Sequence, residues 1–120
     1  MSNAKNQDKS GYPQVITCLP EADVPFENSK GWILQADNNQ LVFFEFQPDV
    51  NLPEHSHSYA QWGIVIDGQM ELSINGKPRT CKKGDEYLIP AGAKHSVKFP
   101  RKTRVMDLFS EKQRYRLKTL

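Results

Sequence analysis

Residues 61–76 read Gln61-Trp62-Gly63-Ile64-Val65-Ile66-Asp67-Gly68-Gln69-Met70-Glu71-Leu72-Ser73-Ile74-Asn75-Gly76. Up to Ile66 the run is apolar and β-branched, which suits a pleated strand. Asp67-Gly68 then supplies the positive-φ pair of a tight hairpin turn. From Gln69 to Ile74 polar and apolar residues alternate, so Met70, Leu72 and Ile74 face one side and Glu71 and Ser73 the other. Asn75-Gly76 is a second tight-turn pair. Two such turns flanked by strand-like sequence predict antiparallel β-structure.

The same reading extends outward. Strands are expected at 32–37 and 41–47, joined by an Asn38-Asn39 turn, and again at 78–81, 86–89, 95–99 and 103–109. No helical period is sustained, apart from a short stretch at 111–117. Pro13, Pro20 and Pro25 argue against a helix between residues 12 and 23, where Val15-Ile16 reads as an edge segment. The expectation is an all-β chain whose single domain, an antiparallel sandwich or barrel, spans 12–110. A polar segment, 1–11, is expected to be disordered, and residues 111–120 form a basic C-terminal extension.

Composition narrows the function. A chain of 120 residues suits one domain. Its longest apolar stretches, such as Leu41-Val42-Phe43-Phe44, are far short of the ~20 residues that cross a bilayer, so no membrane association is expected. Residues 1–10 are polar and show no apolar signal segment, which predicts a cytoplasmic protein. The formal charge of +2 hides an asymmetry: residues 1–93 carry seven Lys/Arg against twelve Asp/Glu, and residues 94–120 nine against two. These basic residues are spread over strand-like sequence rather than gathered into an arm, which disfavours nucleic acid. Cys18 and Cys81 have no metal-ribbon or redox spacing and read as reduced structural thiols.

All three histidines lie in the strand-rich half. His55 and His57 are two apart, and residues i and i+2 of a strand share a face. Gln61 begins the next strand, and His95 opens a later one after Pro90-Ala91-Gly92. Three imidazoles and one amide oxygen make a plausible shell for one divalent transition metal, with Zn, Ni, Fe and Mn all compatible.

At these positions the chain resembles the cupins. His55-x-His57-x3-Gln61-x6-Gly68 is similar to the first cupin motif, HxH-x3-4-E-x6-G. Gly84-x5-Pro90-x-Gly92-x2-His95-x3-Phe99 is similar to the second, G-x5-PxG-x2-H-x3-N. The resemblance implies a conical antiparallel β-barrel of jelly-roll type, a metal in its mouth held by His55, His57, Gln61 and His95, and a homodimer. Two positions depart from the pattern: Gln61 replaces the usual Glu, and Phe99 the usual Asn. A neutral shell leaves the metal's 2+ charge uncompensated, which favours Lewis-acid work on an anionic or carbonyl substrate over oxygen activation.

On the last strand Val105, Asp107 and Phe109 share a face. If that face is inward, Asp107 is a carboxylate among apolar walls and a candidate general base. The alternative is a solvent-facing Asp107, or one paired with Arg104 or Arg114. The HxH-x3-Q segment, the later His and the terminal Asp107-x-Phe109-Ser110 together resemble the pectin-degradation cupins, which linearise 4,5-unsaturated monouronates. That resemblance gives Asp107 and Gln61 catalytic roles and sets Phe109 in the pocket. Those proteins continue with Pro-Pro-Arg-Glu-Asp; here Glu111-Lys112-Gln113-Arg114-Tyr115 follows, with the arginine displaced by one position.

Tyr59, between the ligands, can reach a substrate. Arg104 can attract a carboxylate, as can Lys98. Trp62 alternates with Gln61 and Gly63, so it faces away from the pocket, toward core or a subunit interface. The expectation is a metal-dependent isomerase or lyase acting on a small anionic, sugar-derived molecule. The alternatives are a dioxygenase on the same centre and a non-catalytic sugar- or metal-binding cupin.

Overall fold

Burial alternates residue by residue along the last strand: Thr103, Val105, Asp107 and Phe109 are buried, while Arg104, Met106 and Leu108 are open to varying degree. The same period-two reading organises the rest of the chain. The computed structural model describes residues 11–119. A single helical turn, α1 (Gln14–Thr17), precedes the strands β1 (Ser29–Gln35), β2 (Gln40–Phe46), β3 (Val50–His55), β4 (Gln61–Asp67), β5 (Gln69–Ile74), β6 (Lys77–Lys82), β7 (Glu86–Ile89), β8 (His95–Phe99) and β9 (Thr103–Phe109). They form two sheets, one ordered β1-β2-β9-β4-β7 and the other β3-β8-β5-β6, and all the strand pairs are antiparallel. This is the all-β antiparallel architecture that the turn pattern predicted, in the jelly-roll form that the resemblance implied. No helix among the described residues is long and apolar enough to cross a membrane.

The inner faces of the two sheets meet in an aromatic and aliphatic core. Phe46 on β2 and Phe99 on β8 stack across the gap with centroids 4.0 Å apart and planes 11° apart. Phe99 thus fills space between the sheets where the motif's usual Asn would need polar partners. Such a pair adds roughly 0.5–1.5 kcal/mol beyond the area it buries.

Three expectations are revised. The Asn75-Gly76 turn does close a hairpin, β5 onto β6. Asp67-Gly68 does not, because β4 pairs with β9 and β7 whereas β5 pairs with β6 and β8. It is instead the corner at which the chain leaves one sheet for the other. Gly68 has φ +98°, and a Cβ there would meet Lys102 O at 2.5 Å and Thr103 Oγ1 at 2.6 Å. Thr103 pins the corner by donating to Gln69 O at 2.9 Å.

Residues 12–23 are not wholly extended. Pro13 caps α1, where its missing N–H is not needed, and its carbonyl accepts from Ile16 and Thr17. Residues 111–119 form turns rather than a helix, and they do not extend away from the barrel. Gln40, buried beneath them, donates from Nε2 to Tyr115 O and accepts from Tyr115 N, both at 2.9 Å. Arg116 O and Lys118 N then pair with Asp23 N and Glu21 O. The segment 1–11, expected to be disordered, lies outside the described residues except for Gly11.

Candidate metal centre and its carboxylate

β3 and β8 bring the first two histidines together through a bulge. Leu52 stands opposite Val97 and His55 opposite His95, so Pro53 and Glu54 oppose the single residue Ser96. Unbulged, a strand with Leu52 inward would turn Glu54 inward and His55 out. The extra residue shifts the phase by one and puts His55 beside buried His95, with ring centroids 4.2 Å apart. Proline is tolerated there because a bulge interrupts the ladder.

His57 arrives differently. It lies beyond the end of β3, so the shared-face argument made for a strand does not place it. Its ring stacks on Tyr59 at 4.3 Å and 9°, and its Nδ1 contacts Tyr59 O at 2.7 Å. One ring nitrogen from each of His55, His57 and His95 lies within 4.8 Å of the other two, close enough for the three to hold one metal ion.

The hydrogen bonds decide which nitrogens are free. His55 Nδ1 faces Pro53 O at 2.9 Å and His95 Nδ1 faces Ala93 O at 3.0 Å, matching the His57–Tyr59 contact. A carbonyl only accepts, so each Nδ1 carries the proton and each Nε2 keeps its lone pair. Burial lowers the pKa of His57 and of His95, which favours the neutral, ligating form. Gln61 on β4 turns its amide nitrogen to Asp107 and its Oε1 to His57 Nε2, 3.2 Å away. Two acceptors thus face each other, an arrangement that a cation shared between them satisfies. The donor set therefore fits a divalent metal, with Nε2 of the three histidines and the Gln61 amide oxygen as its ligands.

Asp107 on β9 points inward, not to solvent, and is buried. Tyr87 Oη donates to its Oδ1 at 2.7 Å. Burial pushes the Asp107 pKa up to about 6, while the hydrogen bonds from Tyr87 and Gln61 and the charge of Arg114 oppose the rise. Tyr87 is itself driven well above the ordinary phenol range, first by burial and then by Asp107, so it stays a donor. Gly63 makes the pair geometrically feasible. It lies in register between Tyr87 and Asp107, and a Cβ on it would overlap both the Tyr87 ring and Asp107 Oδ1.

The remaining expected site residues divide. Phe109 lines the same cavity as His55, Gln61, His95 and Asp107. Tyr59 packs near it, 6.5 Å from Phe109 between centroids. Arg104 does not line the cavity. It alternates out of the barrel, pairs with Asp67 Oδ2 at 3.1 Å, donates to Gly11 O at 2.8 Å and lies over the Tyr12 ring. Lys98 is likewise exposed on β8.

The cation at the cavity is Arg114, which strand periodicity could not place because it lies in the turns after β9. Its guanidinium sits 5.7 Å from the Phe109 centroid and 4.9 Å from that of Tyr115. Its Nε is buried with no hydrogen-bond partner among the described residues. Displacement by one position from the resembling motif has not kept it from the pocket. Tyr87 is the other residue missed from sequence. The sole signal was its alternation with Ile89, both of which face inward.

The fold is that of a small two-sheet β-barrel in which three histidines come close enough together to hold a metal ion. The chain belongs to the cupin family: the family model described as a cupin domain matches residues 42–109. No curated protein sequence matches it. Among solved structures it is similar to KdgF from Halomonas sp., with a TM-score of 0.71 and 24% identity over 78% of this chain and 87% of that one. An RmlC-like cupin from Shewanella frigidimarina gives a TM-score of 0.75 at 18% identity, covering 89% and 94%. The polyketide cyclase RemF from Streptomyces resistomycificus gives 0.71 at 22%, covering 88% and 83%.

Proposed function

We propose that this cupin is a divalent-metal-dependent enzyme that rearranges a small anionic, sugar-derived substrate without net redox change, by isomerisation, ring opening or elimination. One observation carries the reading: a buried carboxylate, Asp107, opens onto the same cavity as a neutral ligand shell and a cation with an unused donor. When bound, the metal supplies Lewis acidity toward a carbonyl, hydroxyl or carboxylate oxygen. Arg114 offers its guanidinium to a substrate carboxylate while Phe109 and Tyr59 pack against the carbon skeleton. Asp107 accepts a proton from the substrate and returns it at another atom. Tyr87 holds Asp107 Oδ1 fixed, and Gln61 links the carboxylate to the metal shell.

The substrate class, a 4,5-unsaturated monouronate, comes from the sequence resemblance around Asp107-x-Phe109-Ser110. The reading is tested by loading the protein with Zn, Ni, Fe or Mn in turn and incubating it anaerobically with unsaturated uronates. Loss of their ultraviolet absorbance without oxygen is the expected result, with Asp107→Asn slowing turnover about a hundredfold or more. Activity only with oxygen uptake would favour the dioxygenase alternative. A loaded, inert protein that retains sugar would favour the binding module.

A further inference from the structure

Arg114 enters the cavity on a turn that belongs to neither sheet. Ser110 N, donating to Ala60 O, anchors the chain before it, and Arg116 O, accepting from Asp23 N, anchors it after. Between those anchors, among the described residues, the hydrogen bonds that tie the backbone to the barrel come from two glutamine side chains. Gln35 Nε2 donates to Lys112 O at 2.8 Å. Gln40 Nε2 donates to Tyr115 O and Gln40 Oε1 accepts from Tyr115 N, both at 2.9 Å. The turn is thus held on each side of Gln113-Arg114. Arg114 and Tyr115 line the cavity with His55, His95 and Asp107, so a shift of this turn is felt at the site.

The two glutamines form one unit. They stand opposite each other where β1 turns into β2, and Gln40 also stands opposite Phe109 at the end of β9. Gln40 is 2% exposed, and its Nε2 donates to Gln35 Oε1 at 2.9 Å as well as to Tyr115 O. Two acceptors facing Nε2 and a donor facing Oε1 fix the orientation of the amide. By meeting both the N–H and the carbonyl of Tyr115, the side chain does what a residue of a neighbouring antiparallel strand would do. An apolar side chain in its place would take both partners from Tyr115.

The Arg114 side chain has few ties of its own. It lies over the rings of Phe109 and Tyr115, and its Nε is buried with no hydrogen-bond partner among the described residues. Burial raises the pKa of the Tyr59 and Tyr115 phenols, and the charge and hydrogen bonding of Arg114 oppose that rise, so its guanidinium stands near both hydroxyls. Where it stands follows from where the turn is held. A displacement of about 1 Å at a substrate-positioning group costs up to about a hundredfold in rate.

We propose that Gln40, braced by Gln35, is a positioning residue: its clamp on Tyr115 sets Arg114 where it meets a substrate carboxylate, and so gives the site a preference for acids over neutral sugars. This rests on the reading above only in taking Arg114 as the partner of the carboxylate. The placement of Arg114 by the clamp does not depend on the reaction.

Two measurements on the full chain test it, and the first needs no ligand. The Arg114 Nε–H signal in nitrogen-edited NMR, assigned by its loss in Arg114→Lys, is expected away from the free-arginine position because the guanidinium lies over two rings. Gln40→Met keeps the length of the side chain without its amide, and should move that signal to the free-arginine position while the backbone signals of both sheets stay dispersed. If Gln40→Met fails to fold, Gln35→Met, exposed at the end of β1, replaces it, with a shift in the same direction expected. The second measurement is calorimetric binding of D-galacturonate and of D-galactose to the zinc-loaded protein. The wild type should favour the acid by about tenfold or more. Gln40→Met should lose that preference, and the Gln40→Met/Arg114→Met double variant should bind no worse than Arg114→Met alone. An Arg114 signal unmoved by the glutamine substitutions overturns the proposal, as does an acid preference lost in Arg114→Met but kept in Gln40→Met. A signal that moves in a protein with no preference for the acid supports the clamp and overturns the carboxylate role of Arg114 instead.

Discussion

Tyr87 Oη donates to Asp107 Oδ1 at 2.7 Å across a glycine. The two residues sit on β7 and β9, which do not touch as ladder partners; β4 lies between them and contributes Gly63 in register with both. A phenol and a carboxylate can thus meet in the barrel interior only because the intervening strand omits its side chain.

Gly63→Ala tests this directly. Tyr87 and Asp107 are both buried, so neither can swing clear of a new methyl group cheaply. Overpacking of this kind costs about 1–3 kcal/mol. Urea unfolding is expected to show a loss in that range, and a stability equal to wild type would mean that the pair is dispensable to the packing.

Asp107 makes stability depend on pH in the metal-free protein. Its folded pKa of about 6 lies above the ordinary 3.8, so the folded state holds the proton more tightly than the unfolded one. Its favourable contribution is complete below pH 3.8 and is lost as pH rises through about 6. The linkage amounts to about 3 kcal/mol at most. Denaturant unfolding at pH 4 and pH 7, wild type against Asp107→Asn, isolates this effect because both proteins share the same three histidines. Asp107→Asn is expected to gain relative to wild type as pH rises, and a constant difference would contradict the assignment.

Metal binding should appear as a stability gain independent of any substrate. A ligand that binds only the folded state at a hundred times its dissociation constant adds about 2.7 kcal/mol. A rise in Tm on adding Zn or Ni, reversed by a chelator, is expected for the wild type. Alanine at His95 should abolish that response, and a rise that survives it would move the site away from these ligands.

The corner at Gly68 makes a prediction about the fold alone. Its φ of +98° and its approach to Lys102 O leave no room for a side chain. Gly68→Ala should cost more than the ~1 kcal/mol of an ordinary Gly→Ala backbone penalty, read by thermal unfolding. The same change at Gly76, also at positive φ but with nothing within 4 Å of its Cβ, should cost less.

Much of this was legible along the chain. Alternation placed Val105, Asp107 and Phe109 on one shared face and Trp62 on the face opposite Gln61 and Gly63, because a strand's side-chain period is a local property of its backbone; which face is inward came from the structure. The candidate ligands were picked out by motif spacing, but strand period alone does not bring them together, since a bulge turns His55 inward and His57 lies beyond the strand. Two local signals misled. Asp67-Gly68 has the chemistry of a hairpin turn but sits at a sheet-to-sheet corner, since turn propensity records backbone dihedrals and not which strands pair. Arg104 has the charge to draw an anion but alternates outward and is held by Asp67.

The amino-acid order by itself therefore determined most of the strands, though not Val50–His55, the residues that share a face along them, and the histidine, amide and carboxylate candidates. Only the tertiary structure decided how they meet. The bulge at Pro53-Glu54 reverses the phase of β3 so that His55 faces His95, and Gly63 leaves the gap that Tyr87 and Asp107 share. The return of the chain after β9 brings Arg114 over Phe109. Each is a relation between residues far apart in sequence, created by pairing and packing, and no local periodicity encodes it.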